Sequence, residues 1–111
     1  ILTQIQSDMR VWKEEVFGPV LPVMSFNTED EAVILANDTQ YGLGEQIYCK
    51  DKEKAHRVAS KIEAGNVEIN GGNHWLPCNP FGGFKGSGIG REHGKYGFQE
   101  LCQIKVVSEQ L

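Results

Sequence analysis

Two capped helices alternate with short β-prone segments between residues 20 and 70, and this alternation constrains the fold more than any other feature. Thr28 begins a capping box with Glu31, because its hydroxyl can accept a free backbone N–H while the glutamate reaches back. Asp51 is placed to cap a second helix with an apolar stripe. Gly42 and Gly65 are predicted to close these two helices.

The β-prone segments complete a strand–helix–strand rhythm. They are residues 1–8, 20–26, 45–50, 67–70 and 104–107. Pro22 marks an edge or an end of its strand, since proline cannot donate to a ladder. A last helix is predicted over 91–101. The order predicts an α/β fold with an at least partly parallel sheet, and a chain this short would leave sheet edges uncovered.

Composition excludes several classes of partner. The formal net charge is −4 and the pI is near 5.3, which disfavours nucleic acid and anionic membranes as partners. No apolar run reaches membrane-spanning length. Three cysteines form an odd set and predict a reducing, cytoplasmic location. The chain opens on Ile1 and Leu2 rather than on a methionine, so we expect the true N-terminus to lie elsewhere, and no signal peptide is visible.

Residues 71–90 form a glycine-rich loop that also carries aromatic side chains. The segment holds seven glycines, two prolines and the rings of Trp75, Phe81 and Phe84, which a flexible linker would not need. A phosphate-binding P-loop is disfavoured because Lys85 is followed by Gly86 rather than by serine or threonine. The spacing of the glycines also fails the dinucleotide-binding fingerprint.

Glu15 and Phe17 stand two residues apart before a rigid Gly-Pro turn. In an extended segment they point to the same side, where a carboxylate could accept sugar hydroxyls while the ring packs on a flat ligand. The alternative is a solvated glutamate and a core phenylalanine. The pattern alone favours that alternative.

Five blocks in order give the chain a resemblance to the NAD(P)-dependent aldehyde dehydrogenase family. They are E-E-V-F-G-P at 14–19, N-D-T-Q-Y-G-L at 37–43, G-N-V-E-I-N at 65–70, N-P-F-G-G-F-K-G-S-G-I-G-R-E at 79–92 and K-Y-G-F at 95–98. The resemblance implies the C-terminal portion of the catalytic domain over residues 1–86, α/β with a partly parallel sheet flanked by helices. A closing helix and an oligomerisation strand follow over 87–111.

The resemblance also implies roles for individual residues. Glu15 would hydrogen-bond the nicotinamide ribose, and Phe17 would pack beside the nicotinamide. Glu92 matches a glutamate assigned to a proton route in some members of the family. The residues implied to line or touch the substrate tunnel are Trp75, Phe81, Asn73 and Cys78.

The reaction implied is oxidation of an aldehyde to a carboxylic acid by NAD or NADP. A cysteine thiolate forms a thiohemiacetal and then a thioester that water hydrolyses. The nucleophile, the general base and the oxyanion asparagine of the family lie upstream, so this chain alone is expected to be inactive. Cys78 is a poor substitute nucleophile, because nothing in the sequence makes it a thiolate. His74, Cys78 and His93 lack a recognised metal-ligand spacing.

Substrate and assembly are constrained only in part. Between Gly71 and Gly83 no residue is charged apart from a possible protonated His74, which suggests an uncharged aldehyde.

Residues 103–108 resemble the strand through which the family forms homodimers and homotetramers. Two alternatives stay open: a non-catalytic assembly or binding module, and a structural relative whose upstream cysteine is replaced. A cysteine codon roughly eighty residues before Glu15, the distance the resemblance implies, would favour the enzyme.

Overall fold

The structure is a computed structural model that describes residues 1–72 and 76–110. Its helices in those ranges are α1 (Arg10–Lys13), α2 (Glu29–Asn37), α3 (Lys52–Ala59) and α4 (Gly94–Glu100). Its strands there are β1 (Gly44–Ile47) and β2 (Asn66–Ile69), and a 3-10 turn spans Lys85–Ser87.

Both predicted helix caps are confirmed. The Thr28 hydroxyl accepts the Glu31 N–H at 3.2 Å, and the Glu31 carboxylate accepts the Asn27 N–H at 2.8 Å, one residue before the cap. The Asp51 carboxylate accepts the Lys54 N–H at 3.0 Å. Each side chain satisfies an N–H that has no partner within its helix.

Strands β1 and β2 pair in parallel, with α3 as the crossover between them. Gly44 lies opposite Asn66, and Ile47 lies opposite Ile69. Ala55 of α3 is fully buried. The predicted α/β fold with parallel strands is therefore confirmed in the central part of the chain.

The two glycines predicted to end the helices do not do so. Helix α2 ends at Asn37, whose carbonyl accepts the Lys85 ammonium at 3.0 Å. A lysine from a distant loop therefore satisfies the helix end, as the negative end of the helix dipole favours. Helix α3 ends at Ala59, well before Gly65.

The first two predicted strands shrink to a single bridge. Leu2 pairs with Pro22 in parallel. The Leu2 N–H donates to the Leu21 carbonyl and the Val23 N–H donates to the Leu2 carbonyl, each at 2.8 Å. Proline supplies no N–H, and no longer ladder forms there.

The C-terminal predictions need two corrections. The last helix begins at Gly94 rather than 91, because the backbone of Glu92 is already paired with Phe81 and His93 adopts a φ of 64°. Residues 104–107 form no strand within the described chain. Their apolar side chains are exposed, as expected for a β-prone segment without a neighbouring strand.

The described residues enclose little core. Ala55 and Ala64 are the buried apolar residues there, and none of the large side chains is fully buried. The accessible surface is 9028 Å², whereas a folded monomer of this mass exposes about 6,100 Å². The radius of gyration is 18.3 Å, against about 13 Å for a compact domain. No helix in the described ranges is long and apolar enough to cross a membrane.

Candidate functional site

The glycine-rich loop docks on Gly42, in the turn before β1. The Gly42 carbonyl accepts the N–H groups of Phe84 at 2.8 Å and Gly65 at 3.0 Å. The Gly42 N–H donates to the Ser87 hydroxyl at 3.0 Å. The buried Gly42 therefore joins the loop to the residues that directly precede β1 and β2.

Close backbone approach explains why glycines occupy these positions. A Cβ on Gly42, Gly65 or Gly82 would collide with backbone atoms of another segment. The Asn66 side-chain amide donates to the Gly82 carbonyl at 3.2 Å and to the Leu43 carbonyl at 3.3 Å. Glycine is needed here for space rather than for an unusual φ.

Phe81 and Glu92 are brought together directly. Each N–H donates to the other's carbonyl, at 2.7 and 2.8 Å. Phe81 is half-buried and Glu92 is exposed. Both border a hollow of about 450 Å³ that Leu43, Ser87 and Arg91 also line. Phe81, which the resemblance places at the substrate, and Glu92, which it places on a proton route, therefore line the same hollow.

Arg91 stiffens that wall. Its guanidinium donates to the carbonyls of Gly83 at 3.0 Å and Gly90 at 2.8 Å. It also lies 5.7 Å from the centroid of the Phe84 ring, within cation–π range. Arg91 therefore ties the end of the loop at Gly90 to its interior at Gly83.

Glu15 lies at the edge of a second hollow, just beyond α1. This hollow measures about 380 Å³, and its other lining residues include Tyr41, Leu43 and Ser87. Glu15 is exposed, and the ring of Phe17 is 94% exposed. Within the described residues neither side chain is packed into a core.

Leu43 and Ser87 line both hollows, and we call these two shared residues the Leu43–Ser87 ridge. Glu15 stands on one side of this Leu43–Ser87 ridge, and the Phe81–Glu92 pair stands on the other. The structure thus brings three of the predicted site residues around one feature. Asn73 and Trp75 lie outside the described residues. So does His74.

The cysteines do not join this arrangement. Cys78 is exposed, and its thiol donates to the Asn79 side chain at 3.7 Å. Cys49 is half-buried. Cys102 is exposed.

Sequence reasoning missed the turn that supports the site. Asp38 accepts the indole N–H of Trp12 at 3.1 Å and the ammonium of Lys13 at 2.6 Å. Hydrogen bonds from Lys13 and then Trp12 hold the pKa of Asp38 below its ordinary value. These contacts join residues far apart in sequence, and only the position of Asp38 inside the N-D-T-Q-Y-G-L block could have indicated it.

Another hollow, of about 480 Å³, lies between α2 and α3 and carries none of the predicted site residues. Glu45 borders it, and burial raises the pKa of that carboxyl against the opposing effect of Lys85. The hollow is lined mainly by apolar side chains, so we interpret it as an uncovered packing surface.

Residues 1–107 match the profile of the Aldehyde dehydrogenase family. A Staphylococcus saprophyticus protein with a provisional aldehyde dehydrogenase name is 46% identical over 108 residues, which cover 97% of this chain and 22% of that protein. A Staphylococcus aureus protein with a similarly provisional name is 47% identical, with the same coverage. The chain spans about a fifth of the length of these curated relatives.

Solved structures give the same result. Betaine aldehyde dehydrogenase from Staphylococcus aureus in complex with NAD+ superposes with a TM-score of 0.83 at 50% identity, covering 88% of this chain and 19% of that one. Aldehyde dehydrogenase C from Pseudomonas syringae, a cysteine-to-alanine variant with NAD+ and octanal, gives 0.83 at 51% identity and covers 88% and 20%. At this identity and TM-score the shared fold is that of part of these enzymes.

Proposed function

We propose that this chain, which belongs to the aldehyde dehydrogenase family, forms one side of the active site of an NAD(P)-dependent aldehyde dehydrogenase. The observation that carries the proposal is the Leu43–Ser87 ridge, with Glu15 on one side and the Phe81–Glu92 pair on the other. The parent enzyme would oxidise an aldehyde to a carboxylic acid.

The cofactor side of the ridge fits a nicotinamide ribose. A ribose diol presents O–H donors, and an exposed carboxylate such as Glu15 accepts them. The ring of Phe17 is exposed enough to pack against a flat heterocycle. NAD(P)+, when bound, would accept the hydride of the reaction. We favour NAD, because two structurally similar enzymes were solved with it.

The substrate side of the ridge would hold the aldehyde. Phe81 offers an apolar wall there, and Trp75 and Asn73 are assigned to the same wall from the resemblance alone. Glu92 is within the same hollow and is proposed to relay a proton. The nucleophilic cysteine would come from the part of the enzyme that this chain does not contain.

We propose an uncharged aliphatic or aromatic aldehyde as the substrate. Between Gly71 and Gly83 the loop offers no fixed charge to pair with a carboxylate, and the similar enzyme from Pseudomonas syringae was solved with octanal. A panel containing octanal, betaine aldehyde and a dicarboxylic semialdehyde would test this. A preference for the semialdehyde would contradict it, and a preference for betaine aldehyde would replace the uncharged class by a cationic one.

The assembly is proposed to be a cytoplasmic homodimer or homotetramer. Ile104, Val106 and Val107 are each more than four-fifths exposed and sit in an unpaired β-prone segment. A strand from another subunit could cover them. We keep residues 87–111 as the closing and oligomerising unit beside the catalytic part at 1–86.

The experiment is steady-state kinetics on the intact protein that carries this chain. Aldehyde-dependent formation of NADH is expected, and Glu15→Gln should raise KM for NAD by about tenfold because a charged acceptor becomes neutral. Glu14→Gln is the matched control, since both carboxylate oxygens of Glu14 are bound to Arg10 at 2.8 and 2.9 Å. That variant should change KM by less than about twofold.

The absence of NADH formation with every aldehyde would overturn the enzymatic proposal. An oligomeric but inactive protein would then favour the assembly module, or the structural relative if its upstream cysteine is replaced. Equal effects of Glu14→Gln and Glu15→Gln would remove the assigned role of Glu15.

A further inference from the structure

We propose that Asp38 is a positioning residue for the cofactor side of the site, where it fixes the segment that carries Glu15. The inference rests on the proposed role of Glu15 at the nicotinamide ribose. Asp38 itself would touch neither the cofactor nor the aldehyde.

Asp38 anchors the short helix that leads into Glu15. Its Oδ2 accepts the Trp12 indole N–H at 3.1 Å, and its Oδ1 accepts the Lys13 ammonium at 2.6 Å. Trp12 and Lys13 are the last residues of α1, and Glu15 follows within two residues. A four-residue helix is not stable by itself, so its orientation depends on contacts such as these.

The anchor is rigid because the turn that carries Asp38 is held from several directions. The Asn37 side chain donates to the Lys61 carbonyl and accepts the Glu63 N–H, both at 2.9 Å. The Lys85 ammonium donates to the carbonyls of Asn37 at 3.0 Å and Thr39 at 3.3 Å. The same ammonium pairs with the Glu63 carboxylate at 2.7 Å.

Lys85 belongs to the glycine-rich loop. The turn at 37–39 therefore supports both the substrate side and the cofactor side of the site. Lys85 ties the loop of Phe81 to the turn at 37–39, and Asp38 ties the segment of Glu15 to the same turn. A shift of Asp38 would therefore change the position of Glu15 relative to the Leu43–Ser87 ridge. Misplacement by roughly 1 Å can cost about a hundredfold in rate.

A purely structural surface ion pair is the competing interpretation. Lys13 and Asp38 are 46% and 32% exposed at their side chains. Pairs this exposed contribute little to folding stability. A structural role would therefore leave the kinetic constants nearly unchanged, or lower the apparent kcat through loss of folded protein without changing either KM. A positioning role would act on cofactor binding selectively.

The test measures KM for NAD, KM for aldehyde and kcat on the intact protein. Asp38→Ala should raise KM for NAD by about tenfold and leave KM for aldehyde within about twofold. Asp38→Asn keeps an acceptor for the indole and loses the charge, so it should raise KM for NAD by about threefold. Trp12→Phe removes the indole N–H that donates to Asp38 and should also raise KM for NAD by about threefold.

Glu29→Ala is the matched control. Glu29 pairs with Arg57 at 2.7 Å and its side chain is 19% exposed, but it joins α2 to α3 rather than to α1. It should leave KM for NAD unchanged. Circular dichroism on every variant verifies folding, and the mild Asp38→Asn change keeps the test valid if the alanine variant misfolds.

Two failures can be told apart. If Glu15→Gln raises KM for NAD while the folded Asp38 variants do not, the positioning role is wrong and the proposed cofactor site stands. If Glu15→Gln itself has no effect, the cofactor site is wrong and the Asp38 role falls with it. Parallel changes in Glu29→Ala and Asp38→Ala would also overturn the proposal.

Discussion

Replacing Gly65 by alanine should separate the glycine-rich loop from the start of β2. A Cβ on Gly65 would lie 2.8 Å from the carbonyl carbon of Gly82 and 3.3 Å from the Cα of Gly83, and closer still to the Gly82 oxygen. Carbon atoms pack at about 3.5–4.0 Å. The loop would therefore have to retreat by roughly 0.7 Å or more.

The expected loss of stability is about 3 kcal/mol, the upper end of the usual range for overpacking. Both colliding segments are backbone, so no rotamer change relieves the clash. The retreat also strains the hydrogen bond from the Asn66 amide to the Gly82 carbonyl, which measures 3.2 Å. Because Phe81 is adjacent to Gly82, kcat/KM should fall by as much as about a hundredfold.

The assay is denaturant unfolding of the intact protein together with kcat/KM for its aldehyde. Gly44→Ala is the matched control, since among the described residues its Cβ would meet only the Asn66 carbonyl oxygen, at 3.9 Å. Alanine within a strand costs less entropy than glycine, so this control should be neutral or more stable by about 0.5–1 kcal/mol. Equal stability of Gly65→Ala and Gly44→Ala would refute the close-approach reasoning.

Three further predictions concern local determinants in the same intact protein. Thr28→Ala should destabilise α2 by about 1 kcal/mol in denaturant unfolding, and Thr28→Ser should not, because serine keeps the cap. Asn70→Ala should lose both hydrogen bonds to the Cys49 backbone and strain a φ of 54°. Asn70→Gly spares the strain and should be more stable than Asn70→Ala by about 1 kcal/mol. Glu45 has a raised pKa, so its neutral form stabilises the fold below pH 4.5, and this contribution is lost as pH rises through the folded pKa. Glu45→Gln should therefore raise the thermal midpoint at neutral pH, and the gain should disappear in acid.

Local chemistry allowed much of the central fold to be predicted. Thr28 and Asp51 cap helices because their side chains find their partners within three residues. Strands β1 and β2 were predictable from composition. The end of α2 was not, because its last carbonyl is satisfied by Lys85, 48 residues away. Gly42 was predicted to end α2, but it is a glycine because the backbone of Glu63 approaches it closely.

The same limit explains the C-terminal corrections. The sequence allowed a helix from residue 91. The backbone of Glu92 instead pairs with Phe81 in an antiparallel bridge, so the helix cannot include it. The 104–107 segment has the composition of a strand and lacks a neighbour in this chain. Strand formation needs a partner, which the sequence of one segment cannot supply.

The candidate site was predictable to a different degree on each side. Pattern alone favoured a core position for Phe17, and only the resemblance to a family assigned it to the cofactor; the ring is exposed in this chain. The pairing of Phe81 with Glu92 was not anticipated, because antiparallel contacts across a loop leave no periodicity. The role of Asp38 was also not anticipated, because its two donors lie 25 and 26 residues away in sequence.

Shape and stability have different origins in this chain. The turn at 37–39, the Gly42 junction and the Arg91 contacts are hydrogen bonds that fix the Leu43–Ser87 ridge, and two of them join residues more than 40 positions apart in sequence. Burial contributes little, because the surface exceeds that of a folded monomer by roughly 2,900 Å². Hydrophobic burial is the dominant favourable term in folding. The geometry of the site is therefore encoded within these residues, while its stability depends on what covers their exposed apolar faces.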